Sequence, residues 1–132
     1  MERDLVIPSK LICLNEVRYF LDEIFNESDL NRTYFNKVFL GLSEAVCNSI
    51  VHGNRCDVSK SVSVCAFCTD RNLVLEVSDE GDGFPIDCIE DPTCLENLNK
   101  ENGRGIFLIQ EIADEVVFSE GGRKVLIRFI LD

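Results

Sequence analysis

The sequence predicts a two-layer α/β (α+β) sandwich, a largely antiparallel mixed sheet with helices on one face. Three observations carry this. Helical and strand-like stretches follow one another as strand, helix, helix, hairpin, glycine-rich loop, helix, hairpin. The strand-like runs after residue 60 come as two successive hairpins, which pair antiparallel, and the helical stretches each have one apolar side. With 132 residues, 45% of them hydrophobic and 28% charged, the chain has the size and composition of one soluble domain over residues 1 to 132 that buries a core without staples.

Taken in order, Leu5, Val6 and Ile7 form a short strand that Pro8 stops, and Ser9 is placed to cap a helix running to about Phe25. Leu14, Val17, Leu21 and Ile24 are its apolar stripe. Residues 26 to 32, NESDLNR, read as a loop. Thr33 is the expected cap of a second helix that runs to about His52, where Gly53 and Asn54 suit the left-handed conformation common past a helix end. Val62 to Cys68 and Leu73 to Val77 are β-rich runs joined through Thr69-Asp70-Arg71-Asn72. The second leads directly into Asp79-Glu80-Gly81-Asp82-Gly83. Residues 86 to 102 are acidic and weakly periodic, long enough for a lid over a ligand, and equally consistent with an ordinary surface loop. Gly103-Arg104-Gly105 then opens a helix over IFLIQEIAD, and a glycine pair at a helix start lets a ligand approach free backbone N–H groups. Glu115 to Ser119 and Arg123 to Leu131 alternate as strands around Gly121-Gly122, a two-residue hairpin signal.

The chemistry gathers on the second helix. Glu44, Asn48 and His52 are each four apart, and positions four apart on an α-helix drift by about 40° and rise about 6 Å, so the three form one ridge. Val38, Leu42, Ala45, Val46, Ser49 and Ile50 share another arc, the side expected to face the core. A carboxylate one turn from an amide is what Mg-dependent phosphoryl transfer needs, namely a base to orient the nucleophile and an oxygen ligand for the metal. A solvated polar face is the plainer reading of the same pair.

Charge and cysteines exclude other classes. The 24 acidic residues outnumber the 13 basic ones, giving a net charge of −11, and the basic residues never cluster. Nucleic acid and anionic membrane are therefore not expected partners, whereas backbone amides and a divalent cation can still hold an anionic nucleotide. No apolar run reaches bilayer length, and the opening MERDLVIPSK is too acidic for a signal peptide, so a cytoplasmic location is expected. Seven cysteines fit reduced, mostly buried thiols. Cys65 and Cys68 lie three apart in a strand and should point to opposite faces, which argues against a shared metal.

Three motifs stand in a fixed order: E-x-x-x-N at 44 to 48, D-x-G-x-G at 79 to 83 and G-x-G at 103 to 105. On a helix, after a strand and before a helix respectively, they resemble the Bergerat-fold ATPases, the GHKL superfamily that includes gyrase and the histidine kinases. SEAVCNSIVHGN at 43 to 54 and DPTCLENLNKENGRGIFLIQEIADEV at 91 to 116 are most similar to the bacterial anti-sigma-factor serine/threonine kinases. That resemblance implies binding of ATP with Mg²⁺, phosphorylation of a STAS anti-anti-sigma partner, binding of a sigma factor, and a homodimer. Residue by residue, it implies Asn48 as Mg²⁺ ligand, Glu44 as catalytic base and Asp79 as acceptor from the adenine amino group. Gly81 and Gly83 would let the backbone pass close to the base, and Gly103, Arg104 and Gly105 would form the phosphate-facing turn. His52 matches a family histidine and is read here as structural. Glu80 and Asp82 add charge beside the nucleotide loop and are expected to face solvent or metal-bound water. The competing function is an ATP-binding anti-sigma module without significant kinase activity; a plain structural domain would leave the motifs as coincidence.

Overall fold

The computed structural model describes residues 1–81 and 100–131, and for residues 100–104 the backbone alone. Among the described residues, five strands form one sheet in the order β1-β2-β3-β5-β4. They are β1 (Glu2–Pro8), β2 (Ser61–Thr69), β3 (Asn72–Ser78), β4 (Glu115–Ser119) and β5 (Lys124–Ile130). Every pairing is antiparallel, so the expected mixed character is absent from these strands. The helices are α1 (Leu14–Glu27), α2 (Phe35–Asn48) and α3 (Lys100–Ile112).

Strand alternation puts one set of side chains under the helices. Ile7, Val62, Val64, Ala66, Leu73, Leu75, Val77, Val125, Ile127 and Phe129 are buried on that face. From α1 come Val17, Phe20, Leu21, Ile24 and Phe25, and from α2 Phe35, Val38, Leu42, Ala45 and Val46, at the spacings of an amphipathic helix. Each fully buried large side chain contributes about 1.5–3 kcal/mol, and the two helices are held to the sheet chiefly by this term. Gly41 lets α2 lie close: a Cβ there would sit 3.1 Å from the Phe129 ring and 3.2 Å from the Ile112 side chain. Among the described residues the sheet's other face is uncovered, with Val6, Phe67, Val117 and Ile130 exposed on it.

Cys65 and Cys68 fall on opposite faces as their spacing requires, Cys68 buried under the helices and Cys65 on the outer face. Burial, followed by the neighbouring Asp4 carboxylate, pushes the Cys65 thiol up to about 11, so it stays protonated and unreactive. No helix among the described residues is long and apolar enough to cross a membrane.

Several expected boundaries move. Ser9 does not cap α1: a 3₁₀ turn at Leu11–Cys13 precedes that helix, and the buried Ser9 hydroxyl donates to the Lys60 carbonyl at 2.7 Å. Thr33 lies inside a 3₁₀ turn whose cap is Asn31, which accepts from the Thr33 N–H at 3.0 Å. Beyond Asn48 the helix continues as a π-helical turn, Ser49–Gly53, closed by the Asn54 N–H on the Ser49 carbonyl at 2.8 Å. Asn54 keeps φ −88°, and the left-handed residues are Arg55 and Cys56. The wider turn carries the chain one residue further before it must reverse. The β2–β3 connection is a two-residue turn, Asp70-Arg71, with Asp70 at φ 55°. The β4–β5 connection is four residues long, because Ser119 pairs with Lys124 and Glu120, Gly121 and Gly122 all take positive φ.

Candidate nucleotide site

α2 and α3 pack side by side, and their contact builds the first half of the site. Glu44 and Asn48 are half-buried on the α2 flank. Gly105 faces them: a Cβ at that position would lie 2.9 Å from Glu44 Oε2 and 3.2 Å from Asn48 Nδ2. The absent side chain leaves a cradle in which a carboxylate, an amide and bare helix backbone face one another. An open groove of about 330 Å³ runs along this seam, with Glu44, Cys47, Asn48 and His52 on one wall and Gly105 and Leu108 on the other. His52 therefore keeps company with the ridge although the π turn changes the winding beneath it.

The second half lies on the far side of Asn48. A narrow cleft of about 20 Å³ is bounded there by Asn48, Ser49, Gly53, Asp79, Ile106 and Arg123 among others. Ligand pockets usually run to about 300 Å³ or more, so a nucleobase enters only if the cleft widens. Asn48 lines both spaces.

Two glycines fix where Asp79 stands. A Cβ on Gly53 would lie 2.4 Å from the Asp79 Oδ2, and one on Gly81 only 1.8 Å from the Gly53 carbonyl oxygen. The D-x-G loop is thus pressed onto the π turn, backbone to backbone. The sequence reading gave Gly81 to close approach of a base; in the structure its missing side chain is taken up by Gly53. The Asp79 N–H donates to the Arg123 carbonyl at 2.9 Å, and Asp79 Oδ1 accepts from the Gly81 N–H at 2.9 Å.

The Asp79 carboxyl is half-buried, and burial raises it above its ordinary value against the opposing pull of the Gly81 N–H, the Ser49 hydroxyl and the Arg123 and Lys60 charges. An acid raised in the folded state binds its proton more tightly there than when unfolded. Its favourable contribution is therefore largest below the unfolded value near 3.8 and is lost as pH rises through the folded value. Asp79→Asn should accordingly melt higher than the parent at neutral pH, with the gap closing as pH falls to about 4, while adenine nucleotide binds more weakly. Melts across that range and calorimetry check both halves. A pH-independent gap would show that burial does not raise the carboxyl, and undiminished affinity would show that it is not a contact.

The described residues thus bring Glu44, Asn48, Asp79, Gly81 and Gly105 together around one seam. Glu80 turns away: exposed, it accepts from the Ser61 N–H at 2.5 Å. Gly103 and Arg104 lie within the first turns of α3, which begins at Lys100, so the glycine pair sits inside a helix and not ahead of one. Gly83, Asp82 and residues 86 to 99 of the expected lid lie outside the described residues, and residues 100 to 102 are helical. Ser49, Gly53 and Arg123 were not read from sequence as site residues: Ser49 was placed on the core-facing arc and Gly53 at the helix end. The one available signal was Ser49, a hydroxyl on an otherwise apolar arc.

The profile of the histidine kinase-like ATPase domain matches residues 7–129. The chain belongs to that family. It is 34% identical over 101 residues to the anti-sigma F factor of Clostridium acetobutylicum, covering 74% of the chain and 70% of that protein. It is 24% identical over 133 residues to the serine-protein kinase RsbW of Staphylococcus epidermidis, covering 94% of the chain and 84% of that protein. The crystal structure of the RsbU and RsbW domains of a Mycobacterium tuberculosis protein superposes with a TM-score of 0.67 at 18% identity. That match covers 98% of this chain and 31% of the other, and it shows that the two share a fold.

Proposed function

We propose that this chain is an ATP-dependent serine/threonine protein kinase of a partner-switching system, which binds a sigma factor as a homodimer and phosphorylates a STAS anti-anti-sigma partner in the cytoplasm. The observation that carries the reading is the shared position of Asn48, between a cleft that ends on Asp79 and a groove that holds Glu44. A nucleotide laid along that seam has its base at Asp79 and its phosphates beside Glu44, Asn48 and Gly105.

Asp79 accepts from the adenine 6-amino group, where guanine carries a carbonyl. Asn48 offers an amide oxygen that fits Mg²⁺, which takes oxygen ligands and keeps several waters, and no protein cage is needed. Bound there, Mg²⁺ would neutralise charge on the β- and γ-phosphate oxygens. Gly105 adds no side chain beside Glu44 and Asn48, so at that point the phosphates face these two groups and helix backbone. Glu44 orients the partner's hydroxyl and takes its proton as that oxygen bonds to the γ-phosphorus and the bond to the β-phosphate oxygen breaks, releasing ADP. Positioning and charge neutralisation supply most of the rate in such a transfer.

The name of the relative at 34% identity, an anti-sigma factor, favours a second reading, an ATP-binding anti-sigma module with no significant kinase activity. Labelled ATP with Mg²⁺ and STAS proteins from the same genome separate the two. Label on a serine or threonine of one STAS protein is the expected outcome, and sigma-factor binding with no transfer to any of them would leave only the module. Nucleotide binding is checked independently by melting. ATP or ADP at 100 times its dissociation constant should add about 2.7 kcal/mol to stability, with GTP adding much less, and equal melting with and without millimolar adenine nucleotide would remove the site.

A further inference from the structure

Asn54 is 1% exposed and uses its whole amide. Its Oδ1 accepts from the Glu80 N–H at 2.9 Å, and its Nδ2 donates to Ser9 Oγ at 2.9 Å and to the Ser61 carbonyl at 3.0 Å. The chemistry fixes which way the amide points. The Glu80 N–H can only donate and the Ser61 carbonyl can only accept, while Ser9 Oγ already gives its proton to the Lys60 carbonyl at 2.7 Å. No other side chain of this length supplies one acceptor and two donors; an aspartate here could hold Glu80 but not the other two.

The loop that carries Asp79 is held one peptide at a time. The Asp79 N–H is taken by the Arg123 carbonyl beside β5, the Glu80 N–H by Asn54 at the end of the π turn, and the Gly81 N–H by the Asp79 carboxylate itself. Both peptides that flank the Asp79 Cα are thereby anchored, one to the sheet and one to the helix layer. The two side-chain torsions remain, and the Gly81 N–H and the Ser49 hydroxyl restrain them. Apart from Asp79 itself, Asn54 is the one side chain among these anchors, so it can be removed without altering either the backbone or the carboxylate.

We infer that Asn54 is a positioning residue for base recognition: by holding the Glu80 peptide it aims the Asp79 carboxylate into the cleft, and it sets the preference for a purine bearing a 6-amino group. This rests on the reading of Asp79 as the adenine contact. It assigns the selectivity of that contact to a residue 25 positions away in the chain, which touches no nucleotide itself.

The test is calorimetry of ATP and of purine riboside 5′-triphosphate, which lacks the 6-amino group, each with Mg²⁺, on the parent, Asn54→Ala and Val17→Ala. A hydrogen bond to a charged acceptor makes the parent prefer ATP by about 10- to 100-fold, and Asn54→Ala should cut that preference to about threefold or less by weakening ATP alone. Val17→Ala, a core truncation on α1 away from the loop, should lower the melting temperature and leave the preference intact. A parental preference in Asn54→Ala would overturn the inference while leaving Asp79 as the contact. No preference in the parent would overturn the Asp79 reading and the inference with it. Should Asn54→Ala fail to fold, hydrogen exchange of the parent decides: the Glu80 amide should be protected although its side chain is exposed, and exchange at the free-peptide rate would show that Asn54 does not hold it.

Discussion

Glu44→Gln should lower phosphotransfer to the STAS partner by about 10²- to 10⁴-fold while ATP affinity stays within about twofold of the parent. Glutamine keeps the length and hydrogen bonding of Glu44, so the seam between α2 and α3 beside Gly105 is undisturbed, and only the proton acceptor is lost. Asn48→Ala should behave differently. It removes the amide that stands in both spaces, so Mg²⁺-dependent affinity and turnover should fall together, because charge on the phosphates is then uncompensated in ground and transition states alike. Calorimetry beside a labelled-phosphate assay reads both. Parental turnover in Glu44→Gln would take the base assignment away, and a loss confined to turnover in Asn48→Ala would move the metal ligand elsewhere.

The second large effect concerns Gly81. An added methyl would put its carbon 1.8 Å from the Gly53 carbonyl oxygen, a backbone atom that cannot swing aside as a side chain would. Relief requires the D-x-G loop to leave the π turn, which breaks the Glu80 contact to Asn54 and displaces Asp79. Gly81→Ala should therefore cost at least the about 1–3 kcal/mol usual for overpacking, and it should abolish measurable ATP binding. Gly121→Ala is the comparison. Gly121 has open space around it and a φ of 69°, so alanine there meets only left-handed strain of about 1–2 kcal/mol and should retain ATP affinity. Denaturation and calorimetry on the two variants test the loop contact, and a Gly81→Ala protein of parental stability would mean that the loop does not sit on Gly53.

The layer architecture was legible because each element announces its own period. Val62, Val64, Ala66 and Cys68 alternate, Val17, Leu21 and Ile24 recur at helical spacing, and neither pattern depends on distant residues. The Glu44–Asn48 ridge was legible for the same reason. What sequence did not show is long-range. Asn54 and Glu80 meet across 26 residues, and Gly53 and Gly81 approach because two separate elements end at the same place. Read locally, Gly53 and Asn54 look like a helix stop, and Ser9 like a cap. The π turn defeated the local rule, since it redirects Asn54 inward, where its amide is worth more to three buried backbone and hydroxyl groups than to a turn. The G-x-G stretch failed in the opposite sense. Gly105 has no side chain because Glu44 and Asn48 stand where one would be, a packing reason that spacing within the motif cannot reveal.

The central claim is that one nucleotide site runs from Asp79 past Asn48 to Glu44 and Gly105. Backbone amide shifts of the isotopically labelled protein, recorded as ATP with Mg²⁺ is added to saturation, test it most directly. The account predicts two clusters of shifted amides that titrate together, Ser49, Gly53, Asp79 and Gly81 at the base end and Glu44, Asn48 and Gly105 at the phosphate end, with AMP moving chiefly the first. Saturation that shifts neither cluster, or that moves only residues on the open face of the sheet, would contradict it.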